Sequence, residues 1–190
     1  MKYNHAMITL ASEWSDISYF MHLIGQMVCD MAQIAGYDKR LFRAVELGVR
    51  SGNSTMAILD GLWMAGNGTL VSCDIDECEV AKLYAESSLM DRRWVFFQCD
   101  SVQLASKVTN ESIDFIFVDT SHECNQTRKE IEAWTPKVRR GGRVLFHDTC
   151  SSPDGVLKPI QEFLATQPEG AWAFYNIDVC CGLGVLRRVQ

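Results

Sequence analysis

The stretch VELGVRSGNST, Val45 to Thr55, decides how the chain is read. A short apolar run containing the acid Glu46 leads into Gly48 and Gly52, and small polar residues then open a helix. A strand that turns through glycines into a helix is the first half of a βα unit. Gly48 and Gly52 allow positive φ and a close backbone approach that a side chain would block. The amides near Asn53 and Ser54 lie at the positive end of a helix dipole and suit an anion such as a carboxylate. The spacing E-x-G-x-x-x-G is not the G-x-G-x-x-G of a dinucleotide loop, and it lacks the G-K-[ST] of a P-loop.

The surrounding pattern extends this unit. Strands are expected at Ala44 to Leu47, Leu70 to Cys73, Val95 to Gln98, Ile113 to Val118 and Val144 to Phe146. Helices are expected at Ser54 to Met64, Glu77 to Leu89, Val102 to Lys107, Asn125 to Val138 and Val156 to Ala165. Such alternation marks a parallel sheet with helices on both faces. Ala171 to Ile177 and Gly184 to Val189 read as two further strands, joined by a link too short for a crossover and therefore antiparallel. Upstream, Ile17, Phe20, Met21, Ile24, Met27, Val28, Met31, Ile34 and Ala35 recur at helical spacing within Trp14 to Ala35, ended by Gly36. The expected architecture is α/β and Rossmann-like, with seven strands: a helical cap over 1–40 and a ligand-binding body over 41–190, read together as one domain.

Composition narrows the partners. The chain has 190 residues, 47% hydrophobic and 22% charged, with a net charge of -6, the profile of an ordinary globular protein rather than a nucleic-acid binder. No targeting signal and no bilayer-length apolar run is found, so a cytoplasmic protein without membrane contact is expected. The eight cysteines lack C-x-x-C spacing and are expected to be reduced and buried.

An acid marks each of three successive strands, Glu46 in the first, Asp74 after the second and Asp100 after the third. Asp74 closes VSCD at the distance where an acid grips ribose hydroxyls, and Asp100 in FFQCDS can accept from an adenine amino group. Asp119 leaves the fourth strand in DFIFVDTSHE, and His147-Asp148 leave the fifth in GGRVLFHDT, while His122 lies three residues beyond Asp119.

This order of motifs resembles the class I S-adenosylmethionine-dependent methyltransferases over Leu41 to Gln190. The resemblance implies that Glu46, Gly48, Gly52 and Ser54 hold the methionine part of the cofactor, Asp74 the ribose, and Asp100 with Ser101 the adenine. The D-T-S-H and GGRVLFHD segments are similar to the family 24-like group, the sugar, macrolide and cephalosporin-pathway O-methyltransferases, whose pattern is D-G-x-H followed by P-G-G and H-D. Thr120 stands where those relatives carry glycine. More distantly the chain resembles catechol O-methyltransferase, in which an acid after strand four and an acid-amide pair after strand five hold magnesium, and His122 falls where that enzyme carries its lysine base.

The implied chemistry is methylation of a small-molecule hydroxyl assisted by a divalent cation, magnesium or manganese. Asp119, His147 and Asp148 are the expected ligands and His122 the general base, with Asp119 beside it. A cation lowers the pKa of a bound hydroxyl, and imidazole takes a proton near neutral pH. Imidazole at His147 points either to a metal softer than magnesium or to a role for His147 toward the substrate. A Rossmann-like oxidoreductase and a non-catalytic protein keeping the fold are the alternatives, and a homo-oligomer is expected.

Overall fold

The computed structural model describes Asp16 to Ser88 and Asp91 to Gln190. Trp14 and Leu89, the expected ends of two helices, lie outside the described residues. Seven strands form one sheet in the order β3-β2-β1-β4-β5-β7-β6 with helices on both sides, the Rossmann-like α/β architecture expected. By internal packing the chain divides into two units, residues 1–98 and 99–190.

The first unit carries α1 (Met21–Tyr37), β1 (Arg43–Leu47), α2 (Asn53–Ala65), β2 (Thr69–Asp74), α3 (Glu79–Ser87) and β3 (Trp94–Gln98), preceded by a 3-10 turn at Asp16–Tyr19. Its three strands are parallel, with Leu47 level with Cys73 and Asp74 level with Gln98. That register puts Gly48 beside the end of β2, where its N–H donates to the Cys73 carbonyl at 2.9 Å. α1 and α2 cross closely because the crossing is built from Gly25 and Gly61: a Cβ on Gly25 would stand 3.0 Å from the Ala57 carbonyl oxygen, and one on Gly61 would strike the Gly25 carbonyl. The helical stripe of α1 is buried at Met21, Ile24, Met27, Val28 and Ala35, but Ile34 is 58% exposed, contrary to its expected place on the buried face. With Ala35 as the last buried position, the final turn of α1 runs past the surface it packs on.

The second unit carries α4 (Ser101–Ala105), β4 (Ile113–Val118), α5 (Cys124–Trp134), β5 (Val138–His147), α6 (Lys158–Thr166), β6 (Trp172–Ile177) and β7 (Leu183–Arg188). All six residues of β4 are buried, as in a parallel strand covered on both faces. β7 pairs antiparallel with both β5 and β6, as the short link predicts. Val118 is level with Phe146, so Asp119 and His147 emerge side by side at the same end of their strands.

Several boundaries depart from expectation; α1, expected from Trp14 and ended by Gly36, begins at Met21 after a 3-10 turn and runs through Gly36 to Tyr37. β5 runs ten residues, longer than Val144 to Phe146, because Gly141 and Gly142 lie within it at a register shift rather than in a turn before it. α5 stops at Trp134, and a 3-10 turn at Thr135–Lys137 takes over where Pro136 cannot continue the ladder. The expected helix from Val156 begins as a π turn, Pro153–Leu157, before α6. Contrary to the expectation of burial, only Cys29 and Cys73 are buried; the other six cysteines are partly or fully exposed, and none of the eight forms a disulfide.

Candidate active site

The glycine loop of the first unit is held from both sides by carboxylates. Glu46 is fully buried on β1 and accepts hydrogen bonds from Ser54 (2.6 Å), Thr55 (2.7 Å) and Ser72 (2.7 Å), so it ties the first turn of α2 to β2. Asp74 accepts from the Val49 and Arg50 amides through Oδ2, at 2.7 and 3.0 Å, and from the Asp76 amide through Oδ1 at 3.0 Å. Burial works to raise the Asp74 pKa, but these amides, with the Cys78 thiol beside it, hold it below the usual carboxylate range. The thiol is pushed the other way by burial and by Asp74, up to about 12.

Both loop glycines have positive φ, 88° at Gly48 and 90° at Gly52. The close approach at Gly52, however, is to the protein's own α3: an added Cβ would meet the Ala81 Cβ at 2.7 Å. One side chain that sequence reasoning passed over is Asn53, the first residue of α2. Its Oδ1 is buried with no hydrogen-bond partner among the described residues. An orphaned acceptor at a helix start, beside amides that favour anions, fits the amino and carboxylate ends of an amino-acid moiety.

The second unit assembles the acids and histidines. Asp119, His122 and Asp148 bring one ligand atom each within 4.8 Å of one another. His122 Nε2 lies 3.0 Å from Asp119 Oδ1 and 3.1 Å from Asp148 Oδ2. His147 Nδ1 lies 3.0 Å from that same Asp148 oxygen and 3.4 Å from Asp119 Oδ1. Thus each imidazole bridges the same two carboxylates. His122 and Asp148 both adopt left-handed φ, 55° and 61°, a conformation that non-glycine residues take at a cost and that concentrates in functional sites.

The charges follow from this geometry. Burial works to raise the Asp119 pKa, but hydrogen bonds from His122 and His147 bring it down to about 2. Asp148 is likewise held low against burial by His147 and Ser151. The hydrogen bond to Asp119 raises His122, against burial and with the help of Asp148. Burial works to lower His147, but Asp119 and Asp148 outweigh it and push it up to about 10. Two carboxylates and two imidazolium rings cancel, so the cluster is neutral when it holds both protons. The donor set, two carboxylates with imidazole, suits a divalent transition ion or manganese.

The flanking segments fix this cluster. The Ser151 hydroxyl hydrogen-bonds Asp148, and Gly155 of the π turn presses on the backbone of His122 so closely that an added Cβ would collide with its carbonyl oxygen. Asp100 caps α4 through Oδ1, accepting from the Val102 (2.9 Å) and Gln103 (3.0 Å) amides. The Ser101 hydroxyl points inward and donates to Glu130 at 2.6 Å. Glu130, buried on α5, also accepts from Thr120 at 3.0 Å and Gln126 at 3.3 Å, which links the Asp100–Ser101 segment to the residue after Asp119. No sequence signal marked Glu130, because a glutamate in QTRKEIEAW reads as an exposed helix charge.

Together the sheet order, the glycine loop and the strand-end acids define the class I methyltransferase architecture. The chain belongs to the methyltransferase-domain family, whose model matches residues 45–149. No curated protein matches it significantly. Among solved structures it is similar to a protein from Corynebacterium glutamicum (TM-score 0.76, 19% identity, covering 100% of this chain and 93% of the other). It is also similar to the SAH-bound methyltransferase PaMTH1 of Podospora anserina (TM-score 0.73, 14% identity, 98% and 89% covered). A third is an O-methyltransferase from Bacillus cereus in complex with SAH (TM-score 0.69, 17% identity, 100% and 93% covered). At these identities the likeness is one of fold.

Proposed function

We propose that the protein transfers a methyl group from S-adenosylmethionine to a hydroxyl of a small molecule, with a divalent cation held by Asp119 and Asp148 beside the two histidines. The observation that carries this reading is the convergence of Asp119, His122 and Asp148 on one point, with His147 behind them on the same carboxylates. The O-methyltransferase from Bacillus cereus among the structural relatives supports the choice of oxygen as acceptor.

The cofactor supplies the methyl on a sulfonium, and the cation, when bound, acidifies a coordinated hydroxyl and fixes its direction. The chain's own residues do the rest. The Asn53 carbonyl oxygen and the first amides of α2 receive the amino-acid end, while Asp74 keeps the Val49–Arg50 turn in shape. Without a cation, Asp119 and Asp148 favour the protonated form of His122, which weakens it as a base. A dication shared by the two carboxylates would weaken that support and leave His122 able to accept the acceptor's proton. His147, 1% exposed, is too enclosed to meet a substrate and serves the carboxylates.

The test is methyl transfer by the full chain from labelled S-adenosylmethionine to a panel of catechols, sugars with vicinal hydroxyls and macrolide alcohols, with manganese, magnesium or a chelator. A labelled methyl ether formed only with a cation is the expected result. Transfer unaffected by chelation, or to amines alone, overturns the proposal.

A further inference from the structure

The link from β6 to β7 is a tight turn closed by the Gly182 N–H donating to the Val179 carbonyl at 3.0 Å, and its two central residues are Cys180 and Cys181. Cys180 has a left-handed φ of 52°, and the two Sγ atoms stand 3.8 Å apart. Cys180 is exposed and Cys181 partly so. The carbonyl of Cys181 accepts two hydrogen bonds, from the amides of Cys150 at 2.8 Å and Ser151 at 3.1 Å. Ser151 is also the residue whose hydroxyl binds Asp148. A dithiol therefore stands one carbonyl away from the loop that positions a candidate metal ligand.

We propose that Cys180 and Cys181 are an oxidation site, closing to a reversible vicinal disulfide with a low-molecular-weight disulfide as oxidant. The thiolate of Cys180, the more exposed residue, attacks one sulfur of the oxidant, which breaks the oxidant's S–S bond and expels one thiolate. The thiolate of Cys181 then attacks the Cys180 sulfur of the mixed disulfide and expels the second thiolate. Two protein thiols lose two electrons, and the oxidant is reduced to two thiols.

The consequence follows from chain geometry. Disulfides ordinarily join Cα atoms roughly 4.4 to 6.8 Å apart, whereas a trans peptide holds neighbours at about 3.8 Å. Closing the ring therefore forces rotation about the bonds flanking the Cys180–Cys181 peptide, including the N–Cα bond of Cys181, and that rotation swings the Cys181 carbonyl away from Cys150 and Ser151. Strain of this kind makes a disulfide easy to reduce, which suits a switch rather than a permanent link. The effect on cation uptake through Ser151 and Asp148 rests on the function proposed above; the disulfide and the loosening of the loop do not.

The experiment oxidises the full chain with glutathione disulfide and reads three things. Intact mass should fall by about 2 Da, with peptide mapping placing the bond between Cys180 and Cys181 and dithiothreitol reversing it. Hydrogen exchange at the Cys150 and Ser151 amides should accelerate at least about tenfold in the oxidised form and not in oxidant-treated C180S or C181S. Manganese affinity should fall in the oxidised protein and stay unchanged in C180S. A stable glutathione adduct, or a bond to Cys150 instead, overturns the site. Unchanged exchange at Cys150 and Ser151 overturns the mechanical link, and accelerated exchange with unchanged manganese affinity overturns the coupling to Asp148. Absence of methyl transfer affects neither of the first two readouts.

Discussion

Cation uptake by the acid–histidine cluster should be an exchange of protons for metal. Asp119, with a pKa of about 2, and Asp148, held below the usual range, are ionised at any pH where the protein is handled, so neither has a proton to give up. His147, pushed up to about 10, is protonated roughly a thousand to one at pH 7, and His122 is raised in the same direction. A dication placed among these groups would bring the charge that the two protons supply, and each ring it displaces from the carboxylates would release its proton. If the His122 proton alone is displaced, the binding constant rises with pH by at most about tenfold per unit; if that of His147 follows, by up to about a hundredfold. Displacing the His147 proton at pH 7 costs about 4 kcal/mol, three pKa units at roughly 1.4 each, so the single-proton slope is expected. Calorimetric titration of manganese between pH 6 and 8, in buffers of different ionisation enthalpy, reads both the slope and the protons released. A binding constant independent of pH over that range would refute the argument, and D148N should abolish the heat.

Substitutions at three positions probe the groups around this cluster and the cofactor loop. Glu46→Ala leaves three buried hydroxyls without their acceptor and should destabilise the protein by about 3 kcal/mol or more in urea unfolding; a loss under about 1 kcal/mol would contradict the role given to Glu46. Gly155→Ala sets a Cβ against the backbone carbonyl of His122, a clash that no side-chain rotation relieves. It should weaken manganese uptake about tenfold or more while circular dichroism stays native, and unchanged uptake would detach the π turn from the cluster. Glu130 has its pKa raised by burial against the pull of Ser101, Thr120 and Gln126, so its ionised form costs stability above the folded-state pKa. Glu130→Gln should therefore match or exceed the wild type at pH 7, whereas Glu130→Ala should lose about 2 kcal/mol; equal losses in thermal melts would count against this.

What could be read in advance was whatever depends on local pattern. β4 was legible to the residue because six apolar or pleat-compatible positions are bounded by polar turns, and Asp119, His147 and Asp148 were legible because strand ends in such a sheet share an edge. The role of His122 was legible only in part: its place three residues after Asp119 was plain, but its contact with Asp148 depends on a left-handed backbone that sequence does not announce. β5 was read too short because a Gly-Gly pair signals a turn locally, and only pairing with β4 turns it into a bulge. Gly52 was read as making room for a ligand, whereas its close neighbour is Ala81, a contact set by how α3 packs. Asn53 and Glu130 escaped notice for the same reason: burial of a polar side chain is a tertiary fact.

The central claim is that the Val45–Thr55 loop, shaped by Glu46 and Asp74, holds an adenosyl amino acid. Titrating S-adenosylhomocysteine into the full chain tests it most directly. One equivalent should bind, with affinity falling at least about tenfold in Asp74→Ala, which frees the Val49 and Arg50 amides. No heat at millimolar ligand, or binding untouched by Asp74→Ala, would contradict it.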